Sequence, residues 1–229
     1  MNGRVLNVVR LQFVNRQTYL WVPLIILTGS LLISILIFAM IPIGTPKYGG
    51  GSQAPLWYFL AVGIQALTLS FPFSQAMSLT RREFYLGTLV AAAITGVLLS
   101  TVFVLLGLLE QATNGYGVNG FFAYLPYLWE AGPLGAWFVF FVTTMFFFVT
   151  GFWFATIYKR WSTTVLTVLM IGLGLILVGL AFLVTRLEAW PEVWTWLVTT
   201  GGVGLALWAV PLIALMALGS FLTLRRTTV

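Results

Sequence analysis

Six stretches of this chain run for more than twenty residues with almost nothing but apolar side chains, and none has an ionisable group in its interior. They are Tyr19–Ile41, Pro55–Met77, Leu86–Leu109, Leu134–Tyr158, Val165–Thr185 and Val203–Leu224. A helix needs roughly 20 apolar residues to cross the hydrocarbon core of a bilayer, and its backbone groups must be satisfied within the segment because lipid offers no partners. Each stretch is therefore expected to cross the membrane as a helix. Only 7% of the residues are charged, against roughly 25% in a soluble domain. That leaves too little polar surface to cover a water-soluble fold. Nothing between the stretches is long enough for a separate domain, so residues 1–229 are expected to form one all-α membrane domain with six transmembrane helices.

The cations give these helices a direction. If the N-terminus lies inside, the cytoplasmic segments hold Arg4, Arg10, Arg16, Arg81, Arg82, Lys159, Arg160, Arg225 and Arg226, nine of the eleven Lys and Arg residues. Lys47 and Arg186 remain outside, as do four of the five acids, Glu110, Glu130, Glu188 and Glu192. The positive-inside rule counts only Lys and Arg, and it predicts that both termini are cytoplasmic. In this setting the net charge of +6 reads as topology and not as a nucleic-acid footprint, so no nucleic acid is expected as a partner. The run Trp21–Ile41 is too long for a signal-peptide core and follows a basic leader, so it reads as a retained first span. No N-x-S/T sequon is present, which fits a bacterial plasma membrane.

The external segments Glu110–Pro133 and Arg186–Gly202 are crowded with aromatics, among them Tyr116, Phe121, Tyr127, Trp190 and Trp194. Such residues settle at the headgroup level, in short interfacial or re-entrant helices or in an ordinary aromatic belt. Residues 1–18 mix arginine with valine. A helix there gathers Val5, Leu6, Val9 and Phe13 on one side, the pattern of a cytoplasmic interfacial helix, although Leu11 and Val14 fall on the polar side. Two small-x-x-x-small pairs, Ala92 with Gly96 and Gly202 with Ala206, have the spacing that lets helices approach closely. Gly172, Gly174 and Gly179 thin the fifth span.

The chain contains no His, Cys or Asp. The usual metal sites need His, Cys or clustered carboxylates, and general acid–base chemistry would fall to five scattered glutamates. No enzyme activity and no cofactor are therefore expected in this chain. The deepest polar groups are amides and hydroxyls such as Gln65, Ser70, Gln75, Thr95, Ser100 and Thr143. Proton-driven transport normally relies on intramembrane ionisable residues. No Walker A loop exists, since Lys47 and Lys159 follow Pro46 and Tyr158. Any uphill transport would need energy from another chain.

The positive signal lies at the second inside boundary, Ser70–Thr88, SFPFSQAMSLTRREFYLGT. One apolar stretch ends, a basic elbow follows, and the next begins within a few residues. The elbow resembles the pattern F-x-x-x-x-x-x-G-x-T-R-R-x-F-x-x-G carried by many membrane subunits of ABC transporters of the type 2 exporter class. Phe71 and Phe73, Thr80, Arg81, Arg82, Phe84 and Gly87 fit it, and Ser78 stands where a glycine is common. The whole layout, with a basic N-terminal helix and six spans, is similar too. The resemblance implies a single transmembrane permease domain that works with separate ABC ATPase subunits, on which ATP and Mg would bind, and with a second permease subunit, identical or homologous. It implies that Ser78, Leu79, Thr80, Arg81, Arg82, Glu83 and Phe84 form the ATPase-contacting elbow. It also implies that the second and fifth spans face the substrate path, with Gln65, Ser70, Gly172 and Gly174 as candidate lining. The cargo would be an amphipathic or hydrophobic molecule such as a drug, peptide or lipid. The alternatives are the substrate-binding membrane component of an energy-coupling-factor importer and a non-transporting membrane assembly or immunity protein.

Overall fold

A computed structural model describes residues 3–42 and 44–225. Arg226, counted above among the cytoplasmic cations, lies outside the described residues. The chain is almost entirely helical: α1 (Gly3–Val14), α2 (Val22–Met40, entered through a π-helical turn at Gln17–Trp21), α3 (Gln53–Thr68), α4 (Ser70–Ala76), α5 (Arg81–Ala112), α6 (Gly132–Arg186) and α7 (Trp190–Arg225). A single bridge of two-residue strands, β1 (Lys47–Tyr48) parallel to β2 (Gly120–Phe121), ties two loops together. Five helical runs among the described residues are long and apolar enough to cross a membrane. Prolines stand in the first turns of α6 and α7, at Pro133 and Pro191, where the missing N–H is an orphan in any case.

Three interruptions depart from straight helices, and each has a local cause. The stretch Pro55–Met77 is not one helix, because α3 ends at Thr68 and α4 begins at Ser70. Pro72 accounts for the break: its ring clashes with the carbonyl four residues back, which belongs to Thr68. Within α6, Ser162 adopts φ 78° and ψ 174°, a conformation favourable only for glycine. It divides the element into 132–161 and 163–186. Within α7, Gly201 takes φ 65° and ψ 173°, so 190–200 is a short helix set off from 202–225. The aromatic segment before Gly202 thus contains a short helix, as one reading of the sequence expected. The segment after α5 is instead an irregular loop in which Asn114, Gly115, Tyr116, Gly117 and Asn119 all take left-handed φ.

The centre of the bundle is where α3 crosses the first half of α6. A Cβ added at Gly63 would overlap the Phe148 carbonyl, and one at Gly151 would overlap the Leu60 carbonyl. Two backbones therefore touch directly, the close approach that small residues permit between membrane helices. Around this contact Phe59, Phe148 and Phe152 are buried, and Phe103 of α5 stacks on Phe140 of α6 at 4.5 Å and 7°. The predicted small-residue pairs also pack inside the bundle. Ala92 is buried, Gly96 faces Phe141 and Thr144, and Gly202 lies against Tyr127 and Leu128. The segment 163–186 differs, being exposed along nearly its whole length, and Cβ atoms at Gly172, Gly174 and Gly179 would meet nothing.

The N-terminal helix docks on the bundle. Its inward face is Val5, Val8, Val9 and Gln12, with Phe13 packed at its edge against the core; Leu6, which the sequence pattern placed on that side, is exposed. Gly87 of α5 sets this face, because its missing Cβ leaves room for Val8.

Candidate functional site

The elbow joins α4 to α5 through four residues, and its conformation follows from two capping motifs back to back. At the end of α4, Ser78 N–H donates to the Gln75 carbonyl at 3.0 Å and Leu79 N–H to the Ser74 carbonyl at 3.1 Å. This pair of bonds is the Schellman arrangement, which demands a left-handed residue directly after the helix. Ser78 is that residue, with φ 55°, which explains in physical terms why glycine suits this position. Leu79 turns inward and is buried, and Gln75 Nε2 donates to its carbonyl.

At the start of α5, Thr80 and Glu83 form a capping box. The Glu83 N–H donates to Thr80 Oγ1 at 3.2 Å, while Thr80 N–H and its hydroxyl donate to Glu83 Oε2 at 2.9 and 2.8 Å. Glu83 lies in the polar first turn, ahead of the apolar stretch beginning at Leu86. The Thr80 backbone N–H, then its hydroxyl, hold the Glu83 carboxyl below the usual range, with a smaller contribution from Arg4. Phe84 is fully buried against Phe71, ring centroids 5.2 Å apart.

The two arginines of the elbow have different surroundings. Arg81 Nη1 donates to the carbonyls of Leu224 at 3.3 Å and Arg225, at 2.6 Å for the latter. It therefore caps the last turn of α7, where free carbonyls and the helix dipole favour a cation. Arg82, one residue on, is exposed. Arg4 of α1 reaches Glu83 at 3.8 Å, a long contact at the surface that water and salt screen. The sequence-predicted elbow residues thus lie together, and α1, α5 and the end of α7 converge on them.

Of the four residues suggested for a substrate path, two bond to the N-terminal segment, at different residues. Ser70 Oγ donates to Gln12 Oε1 at 2.9 Å, and Gln65 Oε1 accepts from Thr18 at 3.4 Å. Gly172 and Gly174 sit apart, on the exposed segment 163–186. Ser70 belongs to a buried polar centre built on Gln12, which is 1% exposed. Gln12 Nε2 donates to Thr88 Oγ1 at 2.9 Å, and its Oε1 also accepts from the Tyr19 hydroxyl at 2.9 Å. The π-helical turn at Gln17–Trp21 carries Tyr19 into this position.

Neither the scan against protein-family models nor the searches of curated proteins and solved structures found a match. The chemistry of the arrangement has to be read from its own residues. Among the described residues no cluster of acids capable of holding a metal exists.

Sequence reasoning missed two features at the opposite end of the bundle. Glu110, counted among the external acids, is fully buried. Its carboxylate accepts the N–H groups of Phe122 at 3.1 Å, Ala123 at 3.0 Å and Tyr124 at 2.7 Å, and the Tyr116 hydroxyl at 3.3 Å. Burial and the neighbouring carboxylate push the Tyr116 phenol well above its ordinary value. Lys47 Nζ donates to the carbonyls of Phe38 and Ile41, both at 2.7 Å, and of Val118 at 3.2 Å, closing the end of α2. Together with the β1–β2 bridge, these two charges fasten the loops over the bundle. The signal for Glu110 is its place at the edge of an apolar stretch, five residues before the glycine-rich turn Gly115–Gly120. For Gln12 it is a lone amide four residues beyond Val8 on the apolar face of α1.

Proposed function

We propose that this chain is the permease subunit of an ATP-driven exporter of the ABC type 2 class. It crosses the bacterial plasma membrane six times with both ends inside, and it draws energy from separate ATPase subunits that seat on the elbow. Taking 132–161 and 163–186 as separate crossings gives six spans, and it puts the elbow, the Lys159–Arg160 pair and both chain ends on one side, where the positive-inside rule wants them. The observation that carries the reading is the elbow itself. A polar knob of fixed shape, rigid because both flanking helices are capped and anchored to α1 and α7, suits mechanical transmission from a soluble partner. The absence of His, Cys and Asp supports a motor outside this chain. Cargo would be amphipathic or hydrophobic, and a second permease, identical or homologous, would complete the pathway. The exposed, largely apolar segment 163–186 is compatible with such a neighbour.

The chain has no native cysteine, so a single thiol reports contacts cleanly. Met77 is 57% exposed beside the elbow and takes part in it only through its backbone. Met77→Cys, cross-linked in native membranes, is expected to capture an ATP-binding-cassette ATPase, and the link should weaken when the ATPase binds nucleotide. Capture of no such ATPase, together with purification of the chain free of ATPase activity, refutes the assignment.

A further inference from the structure

Beside the elbow, α5 and the second part of α7 do not close against each other. Tyr85 bridges them on the inner side, donating its hydroxyl to the Ala217 carbonyl at 2.6 Å and meeting Ser220 Oγ at 3.0 Å. Outward from that bridge runs a groove of about 470 Å³ floored by Tyr85, Ala214 and Ala217 and flanked by Leu86, Leu218 and Phe221. Alanines at 214 and 217 leave it open, since no side chain there is long enough to fill it. Arg82 stands at the mouth of this groove, and it also lines, with Arg81, Phe221 and Arg225, a second hollow of about 700 Å³. The apolar groove and the basic hollow are therefore one continuous feature sharing Arg82 and Phe221.

Its charge is unbalanced. The only acid at this end of the described bundle is Glu83, and its carboxylate is turned to Thr80 and Arg4. Arg81 is tied to carbonyls, which keep its charge in place without neutralising it. Arg82 and Arg225 are exposed. A cationic cluster over an apolar groove between two membrane helices matches an amphiphile with an anionic head and a hydrocarbon tail. The lower part of the groove lies at the depth of Leu86 and Leu218, within the apolar stretches, where a soluble partner does not reach and an acyl chain does.

We propose that this feature is a binding site for an anionic phospholipid of the inner leaflet. Its phosphate rests on Arg82 and Arg225, with Arg81 adding charge behind them, and one acyl chain lies along Leu86, Ala214, Ala217 and Leu218. Bound there, the lipid links the first turn of α5 to the last turns of α7 and so stiffens the elbow from the side. The site is independent of the exporter reading, because it asks nothing of an ATPase.

The test is native mass spectrometry of the purified full-length chain titrated with phosphatidylglycerol, with phosphatidylcholine of the same chains, and with inorganic phosphate. Phosphatidylglycerol is expected to bind stoichiometrically and phosphatidylcholine at least tenfold more weakly. Removing both charges in Arg82→Gln/Arg225→Gln should weaken phosphatidylglycerol binding roughly thirtyfold, taking the usual contribution of each cation near an anionic lipid surface. Arg82→Lys/Arg225→Lys should retain most of it. Ala214→Phe, which fills the groove from an exposed position, should weaken lipid binding as much while keeping every charge. Equal binding of both lipids, or insensitivity to the Gln pair, overturns the proposal. Phosphate competing as well as the lipid, with Ala214→Phe silent, assigns a headgroup-only anion site and also overturns it. Unchanged unfolding temperature of each variant in the same detergent separates loss of the site from loss of the fold. Cross-linking through Met77→Cys is unaffected by the lipid outcome, so the two readings fail separately.

Discussion

Replacing Gln12 with leucine should release α1 from the bundle, and the structure sets the size of the effect. Gln12 makes one donated and two accepted hydrogen bonds, to Thr88, Tyr19 and Ser70, all at 2.9 Å. A buried hydrogen bond contributes about 1 kcal/mol net, and a buried partner left unsatisfied costs more. Thr88 can turn its hydroxyl back to a carbonyl of its own helix, which limits its loss. Tyr19 is 3% exposed, and its phenol has no such retreat. Leucine would fill most of the space, so little is lost from packing. The sum is about 3 kcal/mol, or roughly a 150-fold rise in the detached population of α1. The assay uses a chain whose single thiol is Val8→Cys, a position fully buried against α5. Its maleimide labelling rate tracks local opening. Adding Gln12→Leu should speed labelling roughly 150-fold, while a thiol at the buried core position Ala92 should stay protected. A change of less than about threefold, below 1 kcal/mol, would refute the contribution of the polar centre to holding α1 down.

Three other outcomes follow from the same geometry. Gly151→Ala should destabilise the bundle by about 1–3 kcal/mol because the new methyl meets the Leu60 backbone, whereas Gly174→Ala, in open space, should change the unfolding temperature little. Glu110→Gln places an NH2 group among the three backbone donors and should cost at least about 2 kcal/mol of local stability, charged-acceptor bonds being the stronger kind. Limited proteolysis of the 113–124 loop should report it as faster cleavage. Ser78→Gly relieves a left-handed serine and should stabilise the elbow by up to about 1 kcal/mol, seen as slower hydrogen exchange of the Leu79 amide, which bonds the Ser74 carbonyl.

The sequence stated the membrane character of this chain outright. Runs such as Leu86–Leu109 have no stable home in water, and solvent preference is a sum over residues that needs no knowledge of packing. The elbow was legible for a similar reason. Thr80 with Glu83 is a local capping signal, and Leu79 and Phe84 are apolar neighbours that must turn inward. Ser78, a departure by sequence pattern, became intelligible only once its bonds to Gln75 and Ser74 showed a left-handed cap. The break at Leu69 was implicit in Pro72, yet the stretch looked continuous because hydropathy does not register a missing N–H.

What tertiary structure alone decided are the contacts between elements far apart in sequence. Gly63 and Gly151 belong to no shared sequence spacing, and their meeting depends on how α3 crosses α6. Glu110 looks like an external charge until the 120–124 loop folds back with three N–H groups aimed at it. Arg81 and Arg82 are equivalent as letters, and only the end of α7 makes one a helix cap and the other the mouth of a groove. Local chemistry is written along the chain, whereas a partner contributed from a hundred residues away is fixed by packing geometry, which pattern and composition do not encode.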